Sequence, residues 1–120
     1  MICSEQEVRC VYYAERGLKE LVYGIRSVVG DKLISVILYG SVARGTQSED
    51  SDVDIAIILT AKLDDQTENK LSDVIVDMNL KYDKVFSVVD IETAELQQWG
   101  KVIPYLKNVQ DEGIVLWKAA

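Results

Sequence analysis

The chain contains no histidine among its 120 residues. Imidazole metal ligands and histidine general bases are therefore excluded, so any base must be a carboxylate or a phosphate of the substrate. Cysteine is nearly as scarce. Cys3 and Cys10 are the two present, and on a predicted helix they lie two turns apart, too far to bridge. They read as two reduced thiols. Basic residues number 13 against 20 acids, a net charge of −7. That balance disfavours a nucleic-acid module built on a broad basic surface. A nucleotide stays compatible, because metal ions can meet its charge. No apolar run approaches ~18 residues, so no membrane span is expected. The start, Met1 to Glu7, lacks the positive charge and apolar core of a signal peptide. A cytoplasmic protein is the expectation.

What is present suits one soluble globular domain over residues 1–120. Hydrophobic residues make up 48% and charged residues 28%, ordinary proportions for a domain large enough to bury a core. There are no repeats, low-complexity tracts or interdomain linkers.

Ser4 followed by Glu7 reads as a capping box. Val11, Ala14, Leu18, Leu21, Ile25 and Val28 then recur at steps of three and four. They predict one amphipathic helix ending at Gly30. Gly17 and Gly24 weaken its interior and suit close packing against a sheet. Tyr12, Tyr13 and Tyr23 read as core and boundary aromatics, with a partner surface as the alternative. Strands are predicted over Leu33–Tyr39, Val53–Thr60 and Val85–Ile91. A second helix spans 63–82, with Leu71, Val74, Ile75, Met78 and Tyr82 as its buried stripe. Thr93 is expected to cap a short helix carrying Leu96 and Trp99. Pro104 suits the first turn of a further helix that Gly113 ends. Ile114–Trp117 is expected as a short edge strand. The reading is α/β, a small mixed sheet with helices packed on it.

The chemistry is concentrated between the first two strands. The apolar run Leu33–Tyr39 stops at Gly40-Ser41, and after ten more residues Asp52 and Asp54 open the second apolar run. In a strand, residues i and i+2 share a face, so these carboxylates project together with Cα atoms about 6–7 Å apart. Such a pair suits Mg²⁺, which takes oxygen ligands and substrate phosphates. Two ions about 3.5–4 Å apart would clamp an in-line displacement at phosphorus. Gly40 lets the backbone approach a phosphate. Ser41 adds a hydroxyl and backbone N–H donors where a helix could start. Arg44 has two readings: a guanidinium on a triphosphate oxygen, or an ion pair with Glu49 or Asp50 that holds the loop. Taken alone, a Gly-Ser after a strand is ordinarily a turn, and an acidic run is ordinarily a solvated loop. The spacing of the two is what makes them specific.

Gly40-Ser41, ten residues, then Asp52-Val53-Asp54 resembles the signature of the polymerase-β-like nucleotidyltransferases. The fuller string, Leu38 to Gly45 with Ser51 to Asp54, is similar to their minimal nucleotidyltransferase (MNT) branch. The resemblance covers roughly residues 18–117. It implies the nucleotidyltransferase fold, a Mg²⁺ site on Asp52 and Asp54, and Gly40, Ser41 and Arg44 at the nucleotide. It also implies transfer of a nucleoside monophosphate from an NTP, ATP above all, to a hydroxyl. MNT proteins often act beside a HEPN-domain protein encoded nearby, as antitoxin to toxin, so the resemblance implies such a partner and leaves a homo-oligomer open. An aminoglycoside-modifying transferase fits less well, since those enzymes usually carry an additional drug-binding domain. The family usually places a third acid on the strand after Asp-x-Asp. The position expected for it here holds Ser87. Asp90, three residues on, faces the other side of a regular strand and reads as a cap on the following turn. A bulge could turn it into a third metal ligand. Two functions therefore compete, a working transferase and a degenerate one that neutralises its partner by contact.

Overall fold

The computed structural model describes residues 17–40 and 52–119. The helix expected from Ser4 is described from Leu18. Helix α1 spans Leu18–Val29, with Gly17 before it in the left-handed region at φ 78°. Gly17 therefore stands at the helix start instead of inside it. The capping box and both cysteines lie outside the described residues. A Cβ on Gly17 would meet the Tyr82 ring at 2.6 Å, and one on Gly24 would meet Val74 at 2.8 Å. Both glycines thus let α1 lie close to a neighbouring helix, not to the sheet. Val29 leads through a single 3-10 turn, Gly30–Lys32, into strand β1, Leu33–Tyr39.

Strand β2 is Val53–Leu59 and helix α2 is Asp65–Tyr82. The Asp64 side chain caps α2 by accepting from the Thr67 backbone N–H at 2.7 Å. That hydrogen bonding is also the main cause of the lowered Asp64 pKa. Asp83 ends the helix in the left-handed conformation. Strand β3 is Phe86–Glu92, helix α3 Thr93–Trp99, helix α4 Pro104–Glu112 and strand β4 Ile114–Lys118. Pro104 takes the first turn of α4, where a missing N–H costs nothing. The α3 cap differs from expectation. Thr93 is already helical, and the capping position is Glu92, which makes no side-chain cap bond.

The sheet order is β3-β2-β1-β4. β1 is antiparallel to β2 and to β4, whereas β2 and β3 run parallel, joined across α2. Alternation along β2 sends its side chains to two cores. Ile55, Ile57 and Leu59 join α1 and α2 residues such as Leu21, Ile25, Leu71 and Met78. Ala56 and Ile58 join Ile91, Leu106 and Val109 on the other face, under α3 and α4. A central strand covered on both sides is what its uninterrupted apolar run requires. Across α1 and α2, Lys81 bonds both Glu20 oxygens at 2.9 Å and the Tyr82 hydroxyl donates to Glu20 at 2.8 Å. Tyr23 is not a core or boundary aromatic, since it is 70% exposed.

Candidate functional site

The register of three strands assembles the site. Tyr39 on β1 pairs with Asp54 on β2, and Asp54 pairs with Ser87 on β3. Directly paired residues point to one face. Tyr39, Asp54 and Ser87 therefore form a row across the sheet, on the face that α3 and α4 cover further along. Neighbouring strands lie about 4.8 Å apart, so Ser87 is the next side chain to Asp54 along this row. Asp52 is exposed, one residue before β2 begins, while Asp54 is half-buried.

Gly40 closes the row at its β1 end. It is buried, with φ 78°. A Cβ there would run into a carboxylate oxygen of Asp54 and stand 3.2 Å from its Cγ. Any other residue would meet both a disfavoured backbone conformation and the carboxylate itself. The Gly40 backbone and the Asp54 carboxylate are thus in close apposition, which proximity in sequence could not show.

The Tyr39 hydroxyl has its pKa raised, first by burial, then by the Asp54 charge and by Tyr105. Tyr39 stays a neutral hydrogen-bond donor across the physiological range. Tyr105, in the first turn of α4, is 39% exposed, with its pKa raised by burial and by Glu95. Sequence reasoning did not connect Tyr39, Tyr105 or Glu95 with the site. The Tyr39 parity with Asp54 follows only from the register, and α4 brings Tyr105 in from far along the chain.

Asp90 lies elsewhere. It pairs with Ile57, on the face of the larger core, and lines a cavity of about 200 Å³ with Glu68, Leu71, Ser72, Ile75 and Val88. Burial raises its pKa most, followed by hydrogen bonding and charge repulsion with Glu68. The expected turn cap is therefore corrected: Asp90 sits inside β3 and its partner is Glu68 of α2. β3 keeps regular register with β2 from Val53↔Phe86 to Leu59↔Glu92, without a bulge that would turn Asp90 toward Asp54. Ser41 and Arg44 lie outside the described residues. A cavity of about 430 Å³ lies at the opposite end of β1, lined by Tyr23, Arg26, Leu33 and Trp117. It holds none of the predicted site residues.

The donor set suits a hard divalent ion only in part. Asp52 and Asp54 supply carboxylate oxygens and Ser87 a hydroxyl, and no group of three or more acidic or cysteine ligands occurs among the described residues. Two carboxylates fit a Mg²⁺ that takes its remaining oxygens from phosphates and water.

Residues 27–118 match the family model for "Polymerase beta, Nucleotidyltransferase". A Methanocaldococcus jannaschii relative named "Putative protein adenylyltransferase" is 32% identical over 103 residues, 86% of this chain and 97% of that one. A "putative nucleotidyltransferase" of Sulfolobus solfataricus has the same fold, with a TM-score of 0.56 at 20% identity, over 98% of this chain and 90% of that one. The complex of a tri-AMPylated Shewanella oneidensis HEPN toxin with its MNT antitoxin includes a chain similar at a TM-score of 0.51 and 19% identity. That match covers 84% of this chain and 69% of that one.

Proposed function

Because the chain belongs to the polymerase-β-like nucleotidyltransferase family, we propose that it transfers adenylate from Mg·ATP to a hydroxyl on a partner protein. The observation that carries this reading is the apposition of Gly40 and Asp54 at the end of the Tyr39–Asp54–Ser87 row. A left-handed glycine backbone lies directly against the carboxylate to which this reading gives Mg²⁺, so the turn and the acid stand at one place. The relative named for protein adenylyl transfer supports the donor and the class of acceptor. The AMPylated toxin bound to an MNT antitoxin supports a HEPN-domain partner.

In this reading Asp52 and Asp54 hold Mg²⁺, with Gly40, Ser41 and Arg44 at the triphosphate. The ion supplies charge neutralisation at the phosphates. Asp54, fixed by the sheet, would help hold the ion beside the triphosphate, so that the rate would come from positioning and electrostatics. The acceptor oxygen bonds to the α-phosphorus, the bond to pyrophosphate breaks, and the hydroxyl proton passes to a carboxylate or to a phosphate oxygen. Tyr39 stays neutral and can donate a hydrogen bond at this end of the sheet. The test is incubation with labelled ATP, Mg²⁺ and the protein encoded beside this chain, with Asp54→Asn as control. Label is expected on the neighbour and absent with Asp54→Asn. No label under conditions where a known transferase works would end the enzyme reading.

A second reading has its own observation. Ser87 sits beside Asp54, so the site has a hydroxyl where relatives are expected to carry a third charge. A degenerate transferase would bind its partner and neutralise it by contact alone. Asp54→Asn separates the two readings, because contact neutralisation survives the loss of Mg·ATP binding.

A further inference from the structure

An amphipathic helix ordinarily turns polar residues to solvent. Helix α2 departs from that rule. Val76 and Leu80, four residues apart, share the side of the helix away from the buried Leu71 and Met78, and they are 52% and 79% exposed. Val85, just before β3, is 53% exposed. One exposed apolar side chain needs no explanation. Three around the corner where α2 meets β3 do, because that corner also borders the candidate site.

Hydrogen bonds fix the corner. The Asn79 backbone carbonyl accepts from the Asp83 N–H and, at 3.3 Å, from the Lys84 N–H. Its side-chain oxygen accepts from the Phe86 N–H at 2.8 Å. Leu80 follows Asn79 directly, so its place relative to Val85 is held by this turn. On the sheet side, the Val53 N–H donates to the Val85 carbonyl at 2.9 Å. The exposed Asp52 precedes Val53. Val85 lies two residues before Ser87 and Asp52 two before Asp54, the interval at which extended residues share a face. Val85 and Asp52 therefore stand side by side just outside the Asp54–Ser87 pair. An apolar path runs from Asp52 over Val85 to Leu80 and Val76.

The path has a charged border. Asp73 and Asp77 are exposed, three or four positions from Val76 and Leu80 on the same side of α2. Among the described residues neither makes a hydrogen bond or an ion pair. The net charge of −7 adds a long-range field of the same sign. Apolar side chains bordered by acids fit a partner surface of apolar side chains bordered by Lys or Arg.

Resting on the partner-protein reading above, we infer that the acceptor protein docks on Val76, Leu80 and Val85 through an apolar surface edged with basic residues. This contact brings its hydroxyl to the Asp52 side of the site.

The test measures by calorimetry the complex of the full chain with the protein encoded beside it, and separately the binding of Mg·ATP. Leu80→Glu is expected to weaken the complex about tenfold or more, as loss of an anchoring apolar contact does, and to leave Mg·ATP binding unchanged. Leu80→Met keeps the apolar surface and should bind the partner as the wild type does, which separates docking from misfolding. Asp73→Asn combined with Asp77→Asn should make the complex less sensitive to salt. Val102→Glu, at an apolar residue 69% exposed between α3 and α4, is the control and should change nothing. Unchanged partner affinity in Leu80→Glu would overturn the docking surface, and so would an equal loss in Val102→Glu. A wild type that binds Mg·ATP but forms no complex would overturn it too. If Leu80→Glu dissociates a dimer of this chain and spares the partner complex, the face belongs to a second copy. Failure of the nucleotide reading looks different. In that case the wild type binds Mg·ATP no better than Asp54→Asn does, while the effect of Leu80→Glu on the complex is read all the same.

Discussion

The two faces of the sheet carry different tasks, and Asp54 and Asp90 show how. Toward α1 and α2 the sheet buries a broad apolar core, with two long helices pressed together through glycine contacts. Toward α3 and α4 the core is smaller, and the end of the face near Gly40 is left to polar groups. Asp54 and Asp90 lie on adjacent strands and point to opposite faces. Asp54, half-buried, stands in a row between Tyr39 and Ser87. Asp90 faces a helix and another acid, Glu68, which raises its pKa. Asp90, although exposed, is set against a second acid that disfavours its charge, whereas Asp54 is half-buried beside Gly40 and between two hydroxyl residues.

The sharpest way to break this contrast is to hollow out each core in turn. Ile57→Ala, in the larger core, should destabilise the protein by about 2–5 kcal/mol. Chemical denaturation should show it as loss of the whole fold. Leu106→Ala, in the smaller core, should instead free α3 and α4 first. Hydrogen exchange over residues 93–112 should then accelerate ahead of the β2 amides. Uniform acceleration in both variants would mean that the two faces unfold as one unit.

Gly40→Val acts on the site and the fold together. The left-handed backbone costs a β-branched residue about 1–3 kcal/mol, and the new side chain meets the Asp54 carboxylate. Mg·ATP binding should be lost and the melting temperature should fall. A variant of wild-type stability and nucleotide affinity would mean that the backbone at Gly40 is less constrained than its φ implies.

Ser87→Asp places a third carboxylate beside Asp54. Divalent-ion affinity should rise about tenfold, as an anionic oxygen joins the pair. Titration calorimetry with Mg²⁺ alone reads this directly, and unchanged affinity would put position 87 outside the ion's reach.

Asp90→Asn should give the smallest effect. The folded pKa of Asp90 is raised above its unfolded value, so the folded state holds its proton to higher pH. Stability is therefore lost as pH rises through the window between the unfolded value and the raised folded one. Asn removes the charge, so this variant should be more stable than wild type at pH 7 by less than ~1 kcal/mol, since the pair is half-exposed. The difference should vanish near pH 3, where Asp90 is protonated in both states. Mg²⁺ binding should be unaffected. A loss of Mg²⁺ affinity would instead tie the two faces together.

Much of this fold was legible because its signals are local. The stripe through Leu18, Leu21 and Ile25 in a helix that stops at Gly30, the run Val53–Leu59 with two covered faces, and Pro104 and Gly113 bracketing α4 each depend on a few consecutive residues. So does the spacing from Gly40 to Asp54, since the chain must turn at a glycine and return with its acids. Period 3.6 and period 2 are written into the order of residues.

What the order of residues could not decide was which segments meet. Thr93 looked like a cap, but the strand continues to Glu92 because β3 stays in register with Leu59. Asp90 looked like a turn residue until α2 laid Glu68 against it. Gly17 looked like a weak point inside a helix until Tyr82 and Met78 filled the space beside it. The Tyr39–Asp54–Ser87 row and the approach of Tyr105 to it join residues up to 66 positions apart. Strand register and helix docking are settled by burying both faces of one sheet at once. That condition is satisfied by the whole chain, so no single stretch of sequence contains it.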